Sequence, residues 1–228
     1  CTPSRGLGDV YKRQMKKIYL TLILVCTNLQ AQINIYSHRH YDSDKILFKK
    51  FTDQTGIKIN VIKGSADQLI ERLISEGGNS PADILFTVDA GRLHRAKVAG
   101  ILQPIESKIL SENIPPSMRD EDDYWFGLTV RARVLVYSKE RVTPDQLSTY
   151  EDLANRKWRG KIAVRSSSNI YNQSLMASII ASNGSRKALT WAKSIRKNMA
   201  RAPRGSDRDQ ARAVAAGLAD VAIMNTYY

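Results

Sequence analysis

The chain has 228 residues, 43% of them hydrophobic and 25% charged, and a formal net charge of +13. This composition excludes a disordered polar chain and leaves enough apolar material for one or two ordinary cores. The positive balance raises nucleic acid as a partner. The basic residues are scattered along the sequence, however, with no dense Lys/Arg run and no RNA-binding aromatic motif, so no nucleic acid is expected. A solvated basic surface follows, with attraction for anions or a membrane surface as a side effect.

Residues 1–14 (CTPSRGLGDVYKRQ) precede Met15 and resemble translated adapter sequence, so they are set aside. Residues 15–31 have the layout of a signal peptide. Lys16 and Lys17 form the charged start, Ile18 to Cys26 the apolar run, and Ala31 the small residue before cleavage. The apolar run is shorter than the ~20 residues a membrane span needs. Both cysteines, Cys1 and Cys26, fall in these segments. The mature chain is therefore expected to be periplasmic, without disulfides or thiolate metal sites.

From residue 32 the pattern alternates. Ile33 to Tyr36 predicts a strand, followed by a polar loop through His38, His40 and Tyr41, and Ser43 or Asp44 is placed to cap a helix that Gly56 ends. Ile57, Ile59 and Val61 predict the second strand, and Asp67 opens a second helix closed by Gly77-Gly78. Ala82 to Val88 is an apolar run of the kind buried on both faces of a parallel sheet, and Asp89 starts the next helix. This β-α-β-α-β-α order predicts a doubly wound α/β lobe, with ligands beyond the carboxyl ends of its strands. Tyr124 to Tyr137 predicts a long strand able to cross between two lobes, and Ser148 or Thr149 caps a short helix. Lys161 to Arg165 predicts a strand. Ser166 to Asn169 leads into a helix ended by Gly184, and Ser185 caps the next one. Ser206 and Asp209 form a capping-box-like pair, and Ala219 to Met224 is the last strand. The expected organisation is an N-terminal lobe over 32–128, then a hinge strand and an incomplete second α/β lobe over 129–228.

Catalytic motifs are missing from the sequence. It has no G-x-S-x-G elbow, no phosphate-binding glycine loop, no dinucleotide fingerprint and no zinc spacing. Tyrosines recur instead after strands: Tyr41, Tyr171 at the start of a helix, and the adjacent pair Tyr227 and Tyr228. Successive strand residues point to opposite faces, so the last two can share a target only if the chain turns there. A phenol ionises near pH 10, but a hard trivalent cation can displace its proton. Three phenolates neutralise Fe³⁺. Four leave one negative charge for an arginine to offset.

The segments "IYSHRHYDSD", "ADILFTVDAGRLHRA", "GLTVRARVLVYSKERV", "SSSNIYNQSLMASIIA" and "GLADVAIMNTYY" resemble the periplasmic ferric-iron-binding proteins of ABC transporters, most of all the cyanobacterial-type iron-binding branch. The resemblance implies an α/β type II periplasmic binding protein fold, with two doubly wound lobes and a ligand cleft between them. It implies Fe³⁺ as transported ligand, held by Tyr41, Tyr171, Tyr227 and Tyr228, with His40 ranked below them. Arg131 is expected to place a charge near the site, with Arg133 as alternate; strand alternation points both the same way. It further implies a monomer that delivers ferric ion to an inner-membrane ABC permease. A synergistic anion is possible, and no bond-making chemistry is needed. Family members run past the point that matches Tyr228, so a C-terminally truncated second lobe is expected. Two alternatives stay open: a receptor for an anion, polyamine or thiamine-like solute, and a secreted α/β enzyme using a histidine near the first strand with Ser166–Ser168.

Overall fold

A computed structural model describes residues 31–39 and 41–228. The adapter-like extension, nearly all of the expected signal segment and His40 lie outside the described residues. The chain divides into two compact units, one ending at Thr87 and the other comprising Val88–Tyr228.

In the first unit, β1 (Gln32–Ser37), α1 (Asp42–Thr55), β2 (Lys58–Lys63), α2 (Ala66–Glu76) and β3 (Ile84–Phe86) follow the expected alternation. The sheet order is β2-β1-β3, and both pairings are parallel, with Ile35 opposite Val61 and Ile84. The apolar stripe of α2, Leu69, Ile70 and Leu73, is buried along with Ile35 and Tyr36 of β1. Tyr36 is fully buried, and its hydroxyl donates to the Glu76 carboxylate at 2.9 Å. Burial, reinforced by that bond, raises the Tyr36 pKa.

Three local expectations change here. Neither Ser43 nor Asp44 caps α1: the helix starts at Asp42, and Tyr41 occupies the cap position, where its side chain makes no capping bond. Asp44 is held by the Arg39 guanidinium through two bonds, at 3.0 and 2.9 Å, a stronger arrangement than one bond to an amide. Helix α2 is opened by Ser65 rather than Asp67. The Ser65 hydroxyl accepts from the Gln68 amide, and the Gln68 side chain accepts from the Ser65 amide, both at 3.3 Å. The Ala82–Val88 run shortens to three residues with Ile84 45% exposed, because among the described residues β3 is an edge strand paired to β1.

The second unit contains α3 (Ala90–Val98), α4 (Lys108–Asn113), β4 (Arg133–Tyr137), β5 (Ile162–Ala163), α5 (Ile170–Asn183), α6 (Ser185–Asn198), α7 (Asp207–Ala215) and β6 (Val221–Asn225). Its sheet has the order β4-β6-β5, with β6 antiparallel to β4 and parallel to β5. All five residues of β6 are buried, as its central place requires. Leu153, Trp158, Ile162, Ile195, Val221 and Ile223 pack in the main core. The long strand expected over 124–137 survives only as β4. Its first part folds back locally: Phe126 bridges Arg119, and the Gly127 amide donates to the Met118 carbonyl at 2.8 Å. A Cβ at Gly127 would sit 2.7 Å from that carbonyl oxygen, so glycine permits the approach. Ser148 and Thr149 lead into a 3₁₀ turn, Glu151–Ala154, where the Asp152 carboxylate accepts both of their amides at 2.8 Å. Ser185 is the first residue of α6, and Gly184 takes the cap position. Among the described residues, no helix is long and apolar enough to cross a membrane.

Candidate metal-binding site

The second unit gathers three of the four predicted tyrosines. Strand β6 ends at Asn225, pairing continues through the Thr226 amide to the Ala132 carbonyl at 3.0 Å, and the chain then turns. The turn lets the adjacent phenols converge. Their hydroxyls are 3.4 Å apart, and their rings stack at 4.4 Å with a 40° tilt. Tyr171 enters from the first turn of α5, where the Asn169 side chain accepts the Tyr171 amide at 3.0 Å. Tyr171 lies beside Tyr227, close enough for each phenol to perturb the ionisation of the other. The result is a chain of three phenols, Tyr171, Tyr227 and Tyr228.

Arginines surround this chain. The Arg131 guanidinium donates to the Tyr171 hydroxyl at 3.1 Å and lies 5.0 Å from the Tyr227 ring centre. Arg208 lies 5.3 Å from the Tyr228 ring, and Arg133 and Arg165 lie 5.7 and 5.5 Å from the Tyr171 ring. Arg133 is otherwise committed. It pairs with Asp207 at 2.9 Å and donates to the Asn225 side-chain oxygen at 2.9 Å and to Asn172 at 2.8 Å. Arg131 and Arg133 both approach Tyr171, but Arg131 precedes β4 and meets the hydroxyl, whereas Arg133 meets the ring face.

The environment separates the three phenols by acidity. Burial opposes ionisation of Tyr227, yet its pKa falls, because its contacts with Tyr228, Asn225 and Tyr171 and the Arg131 charge favour the phenolate. Burial raises Tyr171, and its contact with Tyr227 and that neighbour's charge add to this against Arg131 and Arg92. Burial and the Tyr227 charge push Tyr228 up strongly.

Tyr41 belongs to the first unit, where it is partly buried just before α1 and lies 5.0 Å from the Arg39 guanidinium. His38 shares its Nδ1 with the Gly64 carbonyl at 3.2 Å. Ser166 and Ser168, the serines of the enzyme alternative, bond to each other at 2.8 Å. Among the described residues, no three His, Cys, Asp or Glu side chains gather to hold a metal ion. The phenols are the oxygen donors this cluster offers, and they suit a hard, highly charged cation.

Sequence reasoning missed the support beneath the cluster. Asp207 is fully buried. It receives Arg133, Arg165 at 3.3 Å and the Asn225 amide at 2.9 Å. Asn225 in turn donates to the Tyr227 hydroxyl at 3.3 Å. In sequence Asp207 looks like an ordinary acidic residue in a first helical turn, and only the basic residues around it hint at a buried charge.

Residues 79–228 match the family model for bacterial extracellular solute-binding proteins. The chain is 54% identical over 199 residues to iron uptake protein A1 of Synechocystis sp., a match covering 87% of this chain and 55% of that protein. A solved Trichodesmium protein (IdiA, FutA) in complex with iron and citrate superposes with a TM-score of 0.84 at 56% identity, covering 87% of this chain and 63% of that one. A ferric binding protein from Campylobacter jejuni gives a TM-score of 0.79 at 48% identity, covering 86% and 62%. The chain thus spans little more than half the length of that curated relative. The α/β type II periplasmic binding protein class holds for the matched part. The chain belongs to the bacterial extracellular solute-binding proteins.

Proposed function

We propose that this chain is part of a periplasmic receptor that captures Fe³⁺ through tyrosine phenolates and delivers it to an ABC importer in the inner membrane. Tyr171, Tyr227 and Tyr228 act as ligands with Tyr41 as the fourth donor, and His40 ranks after them. Arg131 offsets the remaining negative charge, and Arg133 holds the frame. The protein acts as a monomer, reaches the periplasm through the signal segment 15–31, and makes or breaks no covalent bond in its cargo. A synergistic anion completes the metal shell; the Trichodesmium relative is described with iron and citrate.

The observation that carries this reading is the gathering of three phenols beside Arg131, with Tyr227 and Tyr228 hydroxyl to hydroxyl and Arg131 on the Tyr171 hydroxyl. Three phenolates balance Fe³⁺, whereas a neutral or anionic solute gains nothing from them. The relatives named for iron uptake and ferric binding support the same choice.

The test is titration of the chain with ferric citrate, followed in the visible region. Phenolate-to-iron charge transfer should colour the protein, and Tyr227→Phe should abolish most of the band. The affinity loss should exceed the 10- to 100-fold typical of outer-shell partners. A colourless protein that retains no iron after gel filtration removes the proposal.

A further inference from the structure

Helix α6 departs from a pattern that several other helices keep. Helix α1 pairs Lys45 with Asp42 and Lys49 with Asp53, both at 2.7 Å; α2 pairs Arg72 with Glu76 at 2.6 Å; α4 sets Lys108 3.8 Å from Glu112. Between Asp152 and Asp207 the sequence holds twelve Lys or Arg and no Asp or Glu. Helix α6 lies inside that stretch. Its buried side carries Ala188, Ile195 and Asn198. Opposite it, Arg186, Lys193 and Lys197 form a line at spacings of seven and four, about 16 Å long at 1.5 Å per residue. Lys187 and Arg196 flank the line, and all five cations are exposed. None of the described ion pairs involves any of them.

Helix formation does not account for this arrangement. Arg196 and Lys197 suit the negative end of the helix dipole, but Arg186 and Lys187 stand in the first turn, where cations are disfavoured. Lys193 and Lys197 repel each other at a spacing of four. The fold also adds to the charge. The buried Asn198 side chain donates to the Leu153 and Asn155 carbonyls at 2.8 and 2.9 Å, docking the Arg156–Trp158 turn on the end of α6. Arg156, Lys157 and Arg159 are exposed there. Cations scattered in sequence are thus collected by helical geometry and one buried asparagine.

We infer that this face binds the anionic headgroups of a phospholipid surface. The stripe lies on a convex helix, and its one exposed large apolar side chain is Leu189. Trp158 is buried, and the Trp191 indole donates to the Tyr150 carbonyl, so no indole is presented as a protein-interface anchor. Diffuse attraction between a polybasic face and anionic lipid needs no such anchor and grows with each added cation. The inference is independent of the ferric proposal.

Vesicle co-sedimentation of the full chain tests it. Vesicles of phosphatidylcholine with 30% phosphatidylglycerol, about a third of the lipid as in a moderately anionic surface, are compared with pure phosphatidylcholine. The zwitterionic arm corrects for apolar contributions from residues 18–26. The triple variant Arg186→Gln, Lys193→Gln, Lys197→Gln should lose on the order of a hundredfold in affinity for the anionic vesicles. A control, Lys50→Gln, Lys58→Gln, Lys63→Gln, removes the same charge from exposed positions of the first unit and should lose only a few-fold. Circular dichroism should show both variants folded, and single neutralisations in α6 give graded losses that do not depend on the triple variant folding. Equal losses in the two triples reduce the effect to net charge and overturn the inference. So does wild-type protein that ignores anionic vesicles, and so does tighter binding to polyglutamate than to vesicles, which would assign the face to an acidic protein partner.

Discussion

The strands β1 and β6 leave their sheets toward tyrosines, but the two exits are built differently. After β1, Arg39 lies near the Tyr41 ring while its guanidinium is engaged in a two-bond fork with Asp44. After β6, the pairing of arginine with carboxylate sits one layer lower, in Arg133 and Asp207, and a second arginine, Arg131, is placed on the phenols themselves. The second unit therefore uses two arginines, one on a buried carboxylate and one on a phenol hydroxyl, where the first shows one arginine on its carboxylate. One arginine neutralises a buried carboxylate and fixes the turn. The other adjusts the charge on the donor oxygens. A single tyrosine stands at the first exit and a connected triad at the second.

The largest expected effect probes the lower layer. Asp207→Ala leaves the partly buried Arg133 and Arg165 without their carboxylate and frees the Asn225 amide. Removing one partner of a buried pair typically costs ~3–5 kcal/mol. Asp44→Ala exposes one arginine rather than two, and should cost less. Urea denaturation measures both. If Asp44→Ala proved the more damaging, the contrast between the two exits would be misplaced.

Arg131 comes next. Arg131→Gln should weaken ferric binding by ~10- to 100-fold, as changes to outer-shell partners of a metal site do. The phenolate charge-transfer band should move, while the urea midpoint stays close to wild type because Arg133 and Asp207 remain intact. A shifted midpoint with an unchanged band would place Arg131 in the frame, alongside Arg133.

The sequence carried the periodic features well. The alternation of strands and helices in the first unit follows from Ile33 and Ile35 in β1 and from the helical spacing of Leu69, Ile70 and Leu73. The tyrosines were visible because phenols after successive strands are an unusual pattern. The turn that aims Tyr227 and Tyr228 together could be stated as a condition only, since sequence shows no turn signal beyond the strand end. The long strand expected over 124–137 does not form in full, because β-propensity in that segment is overridden by the Phe126–Arg119 bridge and the close approach at Gly127. Asp207 was invisible for a related reason: burial of a charge depends on partners 74 and 42 positions away, Arg133 and Arg165. The α6 stripe escaped notice because its cations are spread along the sequence and align only once wound into a helix.

The smallest predicted effect returns to the contrast between units through their capping boxes. In the first unit the Ser65 amide is held by the neutral Gln68 side chain at 3.3 Å; in the second, the Ser206 amide is held by the Asp209 carboxylate at 2.7 Å. The amide and hydroxyl of Ser206 favour the ionised carboxylate and lower the Asp209 pKa, with Arg212 adding to the shift. A depressed folded pKa contributes stability above the unfolded value, near 3.9 for aspartate, and that contribution is lost as pH falls through the folded value. The glutamine box has no proton to gain. Amide exchange, corrected for intrinsic rates, should therefore show the Ser206 amide losing protection below about pH 4 while Ser65 keeps its own. Asp209→Asn should flatten the Ser206 profile without touching Ser65. Parallel loss at both serines would mean that the whole fold loosens in acid, and that the charged cap of α7 has no separate response.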